Sequence, residues 1–302
     1  MNTASEKATG SITDFYHSYV DALFDSSVFK KQILNCGRLQ RKSVDNEKFF
    51  FKSVLDSFLE EAELTLALLN ESSITKKDVL LEVGGGLGLV YGFLKKQGYT
   101  IYGIEPNDSG FDGYFSAALA LCSVVGVDGS NFRPLLAKDV GQLNTKFDRI
   151  FSNNVFEHIP ELEESIACLG RVLKEDGVMI HNTVNYHVPY EPHFMIPLVP
   201  FFPRLTEYLK PTLKTSALWN GLFFVTTTQL KRMCSKHGLN VEFKKDRLRK
   251  TLMRLDTDPS FARRQKYFVP IYRLLKRLRL VALLDHIPIA LTTPITFTIT
   301  RV

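Results

Sequence analysis

The 302-residue chain is 45% hydrophobic and 23% charged, a globular composition with room for one large or two modest domains. No run of 18 apolar residues and no apolar leader core occur, so neither a membrane-spanning helix nor a secretion signal is expected. The four scattered cysteines (36, 122, 168 and 234) speak against a disulfide framework and for a cytoplasmic protein. The net charge of +6 is local: between Lys244 and Arg279 thirteen Lys/Arg face three acids, giving that segment about +10 and the rest about −4.

Apolar residues at helical spacing predict helices over Ile12–Phe24 and Lys48–Leu69, an N-terminal helical cap over 1–77. From Val79 strands and helices alternate. Strand Val79–Val83 is followed by helix Leu87–Gln97, strand Thr100–Glu105, a helix over Phe111–Val125 and a short strand near Leu135–Ala137. Strand Arg149–Ser152, helix Glu161–Leu173 and a strand opened by an Asp-Gly turn in "DGVMIHNTV" follow. This rhythm predicts parallel βαβ units, a Rossmann-like core over 78–184. Six prolines and many aromatics between Asn185 and Phe224 break it, and 185–225 reads as an insertion that forms a substrate lid. In 226–302 the core resumes with a helix capped by Thr228 and ended at His237-Gly238, then a strand. A basic amphipathic insertion (247–290) comes before the alternating "ITFTIT", which suits a half-buried antiparallel edge strand.

The stretch "LLEVGGGLG" carries the chemistry. A phosphate-binding P-loop needs Lys-Ser/Thr after its last glycine, and Gly88 is followed by Leu-Val. The dinucleotide pattern G-x-G-x-x-G fails because Leu89 stands three residues after Gly86. Glu82, two residues before the first glycine, repels pyrophosphate and suits a cationic ligand such as an ammonium or a sulfonium. Glu105, at the end of the next strand, suits the two hydroxyls of a ribose. Together they specify S-adenosylmethionine.

With these residues in view, the chain resembles the class I S-adenosylmethionine-dependent methyltransferases. "LLEVGGGLG" is similar to the family's first motif and "IYGIEP" to its second. "AKDVGQL" is similar to the third, "FDRIFSNNVFEHI" to the fourth, and "LGRVLKEDGVMIHN" to the helix–strand segment that follows. The resemblance implies a doubly wound, mostly parallel seven-stranded α/β sheet with an antiparallel last strand. It implies cofactor contacts from Glu82, Gly84, Gly86, Gly88 and Glu105, with Asp139 on the adenine amino group and Val140 along its ring. Asn153 and Asn154 would stand beside the reacting methyl. Glu82 replaces the commoner aspartate, and the third motif lacks its usual apolar-proline ending.

A methyl acceptor with a hydroxyl needs a base. His158 in the "EH" of the fourth motif and His187 and His193 in "NYHVPYEPHF" are the catalytic candidates. The spacing of His, Cys, Asp and Glu matches no metal motif, and no metal is expected. The acceptor is read as a small molecule or a lipid- or sugar-linked molecule, methylated on oxygen. An NAD(P)-dependent oxidoreductase and a non-catalytic adenosyl-ligand or membrane-adaptor protein are the rival readings. Between Ile271 and Leu284 apolar residues recur at helical spacing among Arg273, Lys276, Arg277 and Arg279. Segment 263–284 therefore suits peripheral contact with an anionic membrane, or a helix packed on the sheet with a solvated basic face. No nucleic-acid-binding module accompanies it, and nucleic acid is not the expected partner.

Overall fold

A computed structural model describes residues 10–36, 46–107 and 113–302, without the side chains of residues 260 and 264. The chain forms two compact units. One comprises residues up to Val155 with 161–180 and Arg301; the other comprises 156–160, 181–300 and Val302.

The first unit opens with helices α1 (Ile12–His17), α2 (Val20–Asp25), α3 (Ser27–Cys36) and α4 (Glu47–Glu71). The helix expected over Ile12–Phe24 is broken at Ser18, whose hydroxyl and N–H both bond to the Phe15 carbonyl. A serine side chain that competes for backbone groups ends a helix in this way. Helix α4 starts where Asn46 Oδ1 accepts the Phe49 N–H at 3.0 Å. These helices do not form a separate body. Ile12, Tyr16, Phe29, Phe51 and Leu55 share one apolar core with Leu80, Tyr91 and Leu121, and the buried Tyr16 hydroxyl donates to the Leu89 carbonyl at 2.7 Å.

The α/β part runs β1 (Val79–Val83), α5 (Leu89–Lys96), β2 (Thr100–Ile104), α6 (Tyr114–Val125), β3 (Phe132–Arg133), β4 (Phe147–Asn153), α7 (Leu162–Val172) and β5 (Leu173–Thr183). The expected start of α6, Phe111, lies outside the described residues. Strands β1 and β2 pair in parallel with Leu80 opposite Ile101, and β1 and β4 with Leu80 opposite Arg149. Strand β3 stands at 132–133 and not at 135–137, because Pro134 has no N–H for the ladder and the chain turns into a 3₁₀ helix over Ala137–Leu143. Strand β5 takes in the Asp-Gly before "VMIHN", and the chain folds back on itself there: a Cβ on Gly177 would stand 2.8 Å from the Leu173 side chain and 3.0 Å from the Lys174 carbonyl oxygen.

The second unit contains a two-stranded ribbon, β6 (Tyr190–Glu191) and β7 (Ile196–Pro197), then α8 (Thr206–Leu209), α9 (Ala217–Asn220) and α10 (Thr227–Lys236). The proline-rich segment thus holds only short elements, gathered around the fully buried Trp219 with Val184, Tyr186, Leu198, Leu213 and Leu222. Helix α10 is capped by Thr226, not Thr228, in a capping box with Gln229. There follow β8 (Leu239–Phe243), α11 (Arg247–Thr257), α12 (Pro259–Arg264), α13 (Phe268–Arg277) and β9 (Ile295–Arg301). The helix expected to reach Leu284 stops at Arg277. Arg279 takes φ +59°, and the N–H groups of Arg279 and Leu280 close back on Lys276 and Leu275, a Schellman ending.

The seven-stranded sheet has the order β3-β2-β1-β4-β5-β9-β8. It is the mostly parallel α/β sheet that the alternation predicts, with antiparallel pairing confined to the last strands. The expectation of an edge position for the last strand is corrected: β9 lies between β5 and β8. Its polar positions are not solvated. Thr296 is fully buried and donates to Asn182 Oδ1 at 3.0 Å, so apolar/polar alternation here marks a strand whose hydroxyls are satisfied inside.

Asn185 fixes the chain as it leaves β5. Its side-chain N–H groups serve the carbonyls of Ile289, Ala290 and Thr292, and the residue is fully buried. Asn185→Ala strands these carbonyls and is expected to cost roughly 3 kcal/mol. The urea unfolding midpoint measures it; an unchanged midpoint would rule out this clamp.

Candidate functional site

The end of β1 and the loop after it make a narrow cradle in the first unit. The N–H groups of Gly84 and Gly85 both donate to the Ile104 carbonyl, at 2.8 and 3.1 Å, which draws the loop against the end of β2. The glycines then divide by task. A Cβ on Gly84 would meet Val155 at 2.6 Å, and one on Gly88 would meet Ala118 at 2.8 Å; both are packing glycines. Gly86, at φ +54°, has no atom within 4 Å of its missing Cβ. It is the glycine that leaves open space.

Two buried acids stand at this loop, with Glu82 Oε2 next to Gly85. Glu82 is 6% exposed and Glu105 5%. Glu105 Oε2 accepts the Gly86 N–H at 2.8 Å. Glu82 Oε2 is buried and accepts no hydrogen bond. Burial, then the nearby Glu105 charge, pushes the Glu82 carboxyl up to about 8, and burial pushes Glu105 up to about 7. A buried carboxylate oxygen without a donor, in a loop that leaves open space at Gly86, fits a ligand that brings positive charge and hydroxyl donors. S-adenosylmethionine offers both, so these residues fit the cofactor.

The other expected cofactor contacts vary. Asp139 is half-buried on the 3₁₀ turn over Ala137–Leu143, whereas Val140 has no exposed surface. Asn153 and Asn154 end β4 and reach back to α4: Asn153 Nδ2 meets the Glu61 carbonyl at 3.4 Å and Asn154 Nδ2 meets Glu61 Oε2 at 3.1 Å. Asn154 takes φ +55°, a conformation asparagine tolerates better than most residues.

In the second unit, two of the three candidate histidines come together. His158 and His193 have ring centroids 5.5 Å apart, and with Glu157 they place ligating atoms all within 4.8 Å of one another. His193 Nδ1 donates to Glu191 at 2.6 Å, and His158 Nδ1 to the Gly221 carbonyl at 3.3 Å. Burial holds the His158 imidazolium below its ordinary pKa against the pull of Glu157. Burial raises Glu191, but His193 outweighs it and holds that carboxyl below the usual range. His187 stands elsewhere, exposed and bonded to Thr227 Oγ1 at 3.1 Å.

Sequence reasoning missed Glu157, Glu191 and His181. All three are fully buried. His181 lies between the rings of Phe156 and Phe297, where burial lowers its pKa to about 3, so it is a neutral core residue. The signal for Glu157 was present, an acid directly before His158. Nothing local distinguished Glu191 from a solvated loop acid.

Helix α13 also departs from the packed alternative. Its buried face is Tyr272, which donates to Asp256 Oδ2 at 3.0 Å, while Ile271, Leu274 and Leu278 are 56%, 56% and 54% exposed. Among the described residues, no helix is long and apolar enough to cross a membrane.

Comparison with known proteins gives the family. The profile of a family described as "Methyltransferase domain" matches residues 55–243. An uncharacterized protein of Mycobacterium tuberculosis is 32% identical over 222 residues, covering 70% of this chain and 75% of that protein. The ubiquinone biosynthesis O-methyltransferase of Bartonella quintana is 26% identical over 106 residues, 35% of this chain and 41% of that enzyme. Among solved structures, a phosphoethanolamine N-methyltransferase 2 of Haemonchus contortus, in complex with phosphomonomethylethanolamine and S-adenosylhomocysteine, aligns with a TM-score of 0.46 at 16% identity. That alignment covers 78% of this chain and 51% of that one. A putative sarcosine dimethylglycine methyltransferase of Galdieria sulphuraria aligns with a TM-score of 0.46 at 14% identity over 82% of this chain and 86% of that one.

The acid pair sets a pH dependence. A carboxyl whose pKa is raised on folding contributes stability that is present below its unfolded value of 4.5 and lost as pH rises through the folded value. The ligand-free protein should therefore lose thermal stability between about pH 4.5 and about pH 8, the window bounded by Glu105 near 7 and Glu82 near 8. Glu82→Gln should flatten the upper part of that slope in differential scanning calorimetry. A variant that keeps the wild-type slope would show that Glu82 ionises as an ordinary exposed acid does.

Proposed function

The chain belongs to the methyltransferase-domain family and is an S-adenosylmethionine-dependent enzyme, and from that premise we propose that it methylates a hydroxyl oxygen of a small-molecule or lipid- or sugar-linked acceptor. Family membership removes the oxidoreductase reading. The observation that carries the cofactor site is the buried pair at the glycine loop, Glu82 with Oε2 next to Gly85 and Glu105 on the N–H of the open Gly86. When bound, S-adenosylmethionine supplies a methyl group on a sulfonium, activated for in-line attack.

The roles of this chain's residues follow from their chemistry. Glu82 balances the cationic end of the cofactor, and Glu105 accepts the ribose hydroxyls beside its bond to Gly86. Gly86 admits close approach of the backbone. Asp139 takes the adenine amino group, and the buried Val140 backs that turn. Gly84 and Gly88 hold the loop in shape against Val155 and Ala118. Asn153 and Asn154, tied to Glu61, fix the chain just before Glu157-His158. An attacking hydroxyl has to lose its proton, and His158 and His193 are the groups suited to take it. His187, bonded to Thr227, is the candidate for orienting the acceptor. The O-methyltransferase relative supports oxygen as the acceptor atom.

The lipid-linked form of the acceptor is supported by α13, where the exposed Ile271, Leu274 and Leu278 lie among Arg273, Lys276 and Arg277, an apolar stripe edged with positive charge. Lys276 is partly neutralised by Asp256 at 2.7 Å.

Glu105→Ala should weaken S-adenosylmethionine by about 10- to 100-fold in titration calorimetry, and Gly86→Ala should abolish binding while the circular dichroism spectrum stays native. Unchanged affinity in both variants removes the cradle assignment, and turnover across a panel of hydroxyl acceptors separates an enzyme from a protein that only holds the cofactor. Liposome co-sedimentation tests the helix. Binding should need anionic lipid, weaken with added salt, and drop in an Arg273→Gln/Arg277→Gln variant by about 1 kcal/mol per charge. Binding indifferent to lipid charge would sink the membrane reading.

A further inference from the structure

The geometry points to a divalent-metal site formed by Glu157, His158 and His193, with zinc as the ion its donor set favours and an open position for an oxygen of the acceptor. Two imidazoles and one carboxylate make the three-ligand set of catalytic zinc, whose fourth position stays available. Around one tetrahedral zinc, ligand atoms stand about 3.4 Å apart, given bonds of roughly 2.1 Å. The three groups already bring their atoms within 4.8 Å of one another, a gap that side-chain rotation closes.

Glu157 supplies the independent observation. The residue is fully buried, and its Oε2 accepts the Thr183 hydroxyl at 2.5 Å. Its Oε1 is buried and has no hydrogen-bond partner. A buried carboxylate oxygen left this way is costly unless a cation or a proton meets it. The histidines are oriented as metal-binding histidines are. Each commits Nδ1 to an oxygen, His193 to Glu191 and His158 to Gly221, which assigns Nε2 to the metal. Glu191 is itself fixed by the Tyr186 hydroxyl and by the backbone N–H of His193 at 2.7 Å. A carboxylate anchored on two sides, holding an imidazole by its far nitrogen, is a second layer of support under a ligand.

A zinc ion held by Glu157, His158 and His193 would supply Lewis acidity, lowering the pKa of an acceptor hydroxyl at its open position. The proton leaves to water or to a nearby base, and the ion undergoes no redox change. This role rests on the methyltransferase reading above; the binding of the ion does not.

The test uses the full chain, stripped with a chelator and titrated with zinc chloride in a calorimeter, with magnesium chloride as a hard-cation control. One zinc per chain should bind, more tightly than magnesium. His193→Ala, at a solvent-facing position that does not endanger folding, should weaken zinc at least 10-fold. Glu191→Gln should weaken it by about 10-fold, as loss of an outer-layer partner does. Zinc should raise the melting temperature of the wild type and not of His193→Ala. Absence of zinc binding, or equal binding by wild type and His193→Ala, overturns the site. S-adenosylmethionine affinity, measured with and without zinc, is the separate readout. Its loss with zinc binding intact counts against the cofactor assignment alone, and zinc binding without any effect of chelation on methyl transfer overturns the proposed role toward the acceptor.

Discussion

Two carboxyl groups buried at the ends of neighbouring strands are the constraint around which the first unit is arranged. Glu82 stands on β1 and Glu105 directly after the adjacent parallel strand β2, and the Glu105 charge adds to the cost of ionising Glu82 in a medium that screens poorly. The fold supplies little compensation, chiefly the N–H of Gly86 to Glu105 and a backbone hydrogen bond at Tyr91 to Glu82. No described lysine or arginine forms a salt bridge with either acid. A protein that needed only a stable sheet would replace both with apolar residues of similar size. The stored cost makes sense if a cationic ligand relieves it on binding. The same pair disfavours phosphate, which explains why a glycine-rich loop after a strand here serves neither a P-loop nor a pyrophosphate.

The loop can hold these acids only because it is compressed. Gly84 lies against Val155, Gly85 against Phe132 and Gly88 against Ala118, each closer than a side chain allows. Gly103 in β2 lies against Phe132 in the same way. One phenylalanine on β3 thus enforces the path of both strands that carry the acids. Tyr16 closes the arrangement from the N-terminal helices by bonding the carbonyl of Leu89, the first residue of α5. These helices are therefore structural partners of the glycine loop, and this is why they share its core.

Much of this was legible in the residues, and the reasons for the failures are specific. The strand–helix rhythm from Val79 to Val184 and the two acids could be read because a buried parallel strand is a continuous apolar run and an acid at its end is conspicuous. Expectations failed where one residue overruled a pattern. Ser18 split a helix and Pro134 moved a strand. Asn182 concealed the interior place of β9 by satisfying Thr296. In the proposed site, His158 and His193 were visible as single candidates. Their pairing with Glu157 was not, because it depends on the β6–β7 ribbon, whose two-residue strands leave no periodic trace.

The second unit offers an internal comparison that bears on what a buried polar group is for. Asn185 is fully buried, serves three carbonyls with its amide hydrogens, and accepts the His187 N–H at 3.2 Å through Oδ1. Glu191 is fully buried, with one oxygen on Tyr186 and the other on His193. Both are closed networks, and closure is what a purely structural role requires. Glu157 differs although it sits among the same elements. Its carbonyl is bonded by the Phe223 N–H at 2.8 Å and one carboxylate oxygen by Thr183, while the other oxygen is left over. The open carboxylate oxygen of Glu157 lies beside two imidazoles already braced from behind. That combination separates a site awaiting a ligand from a core residue that merely happens to be polar.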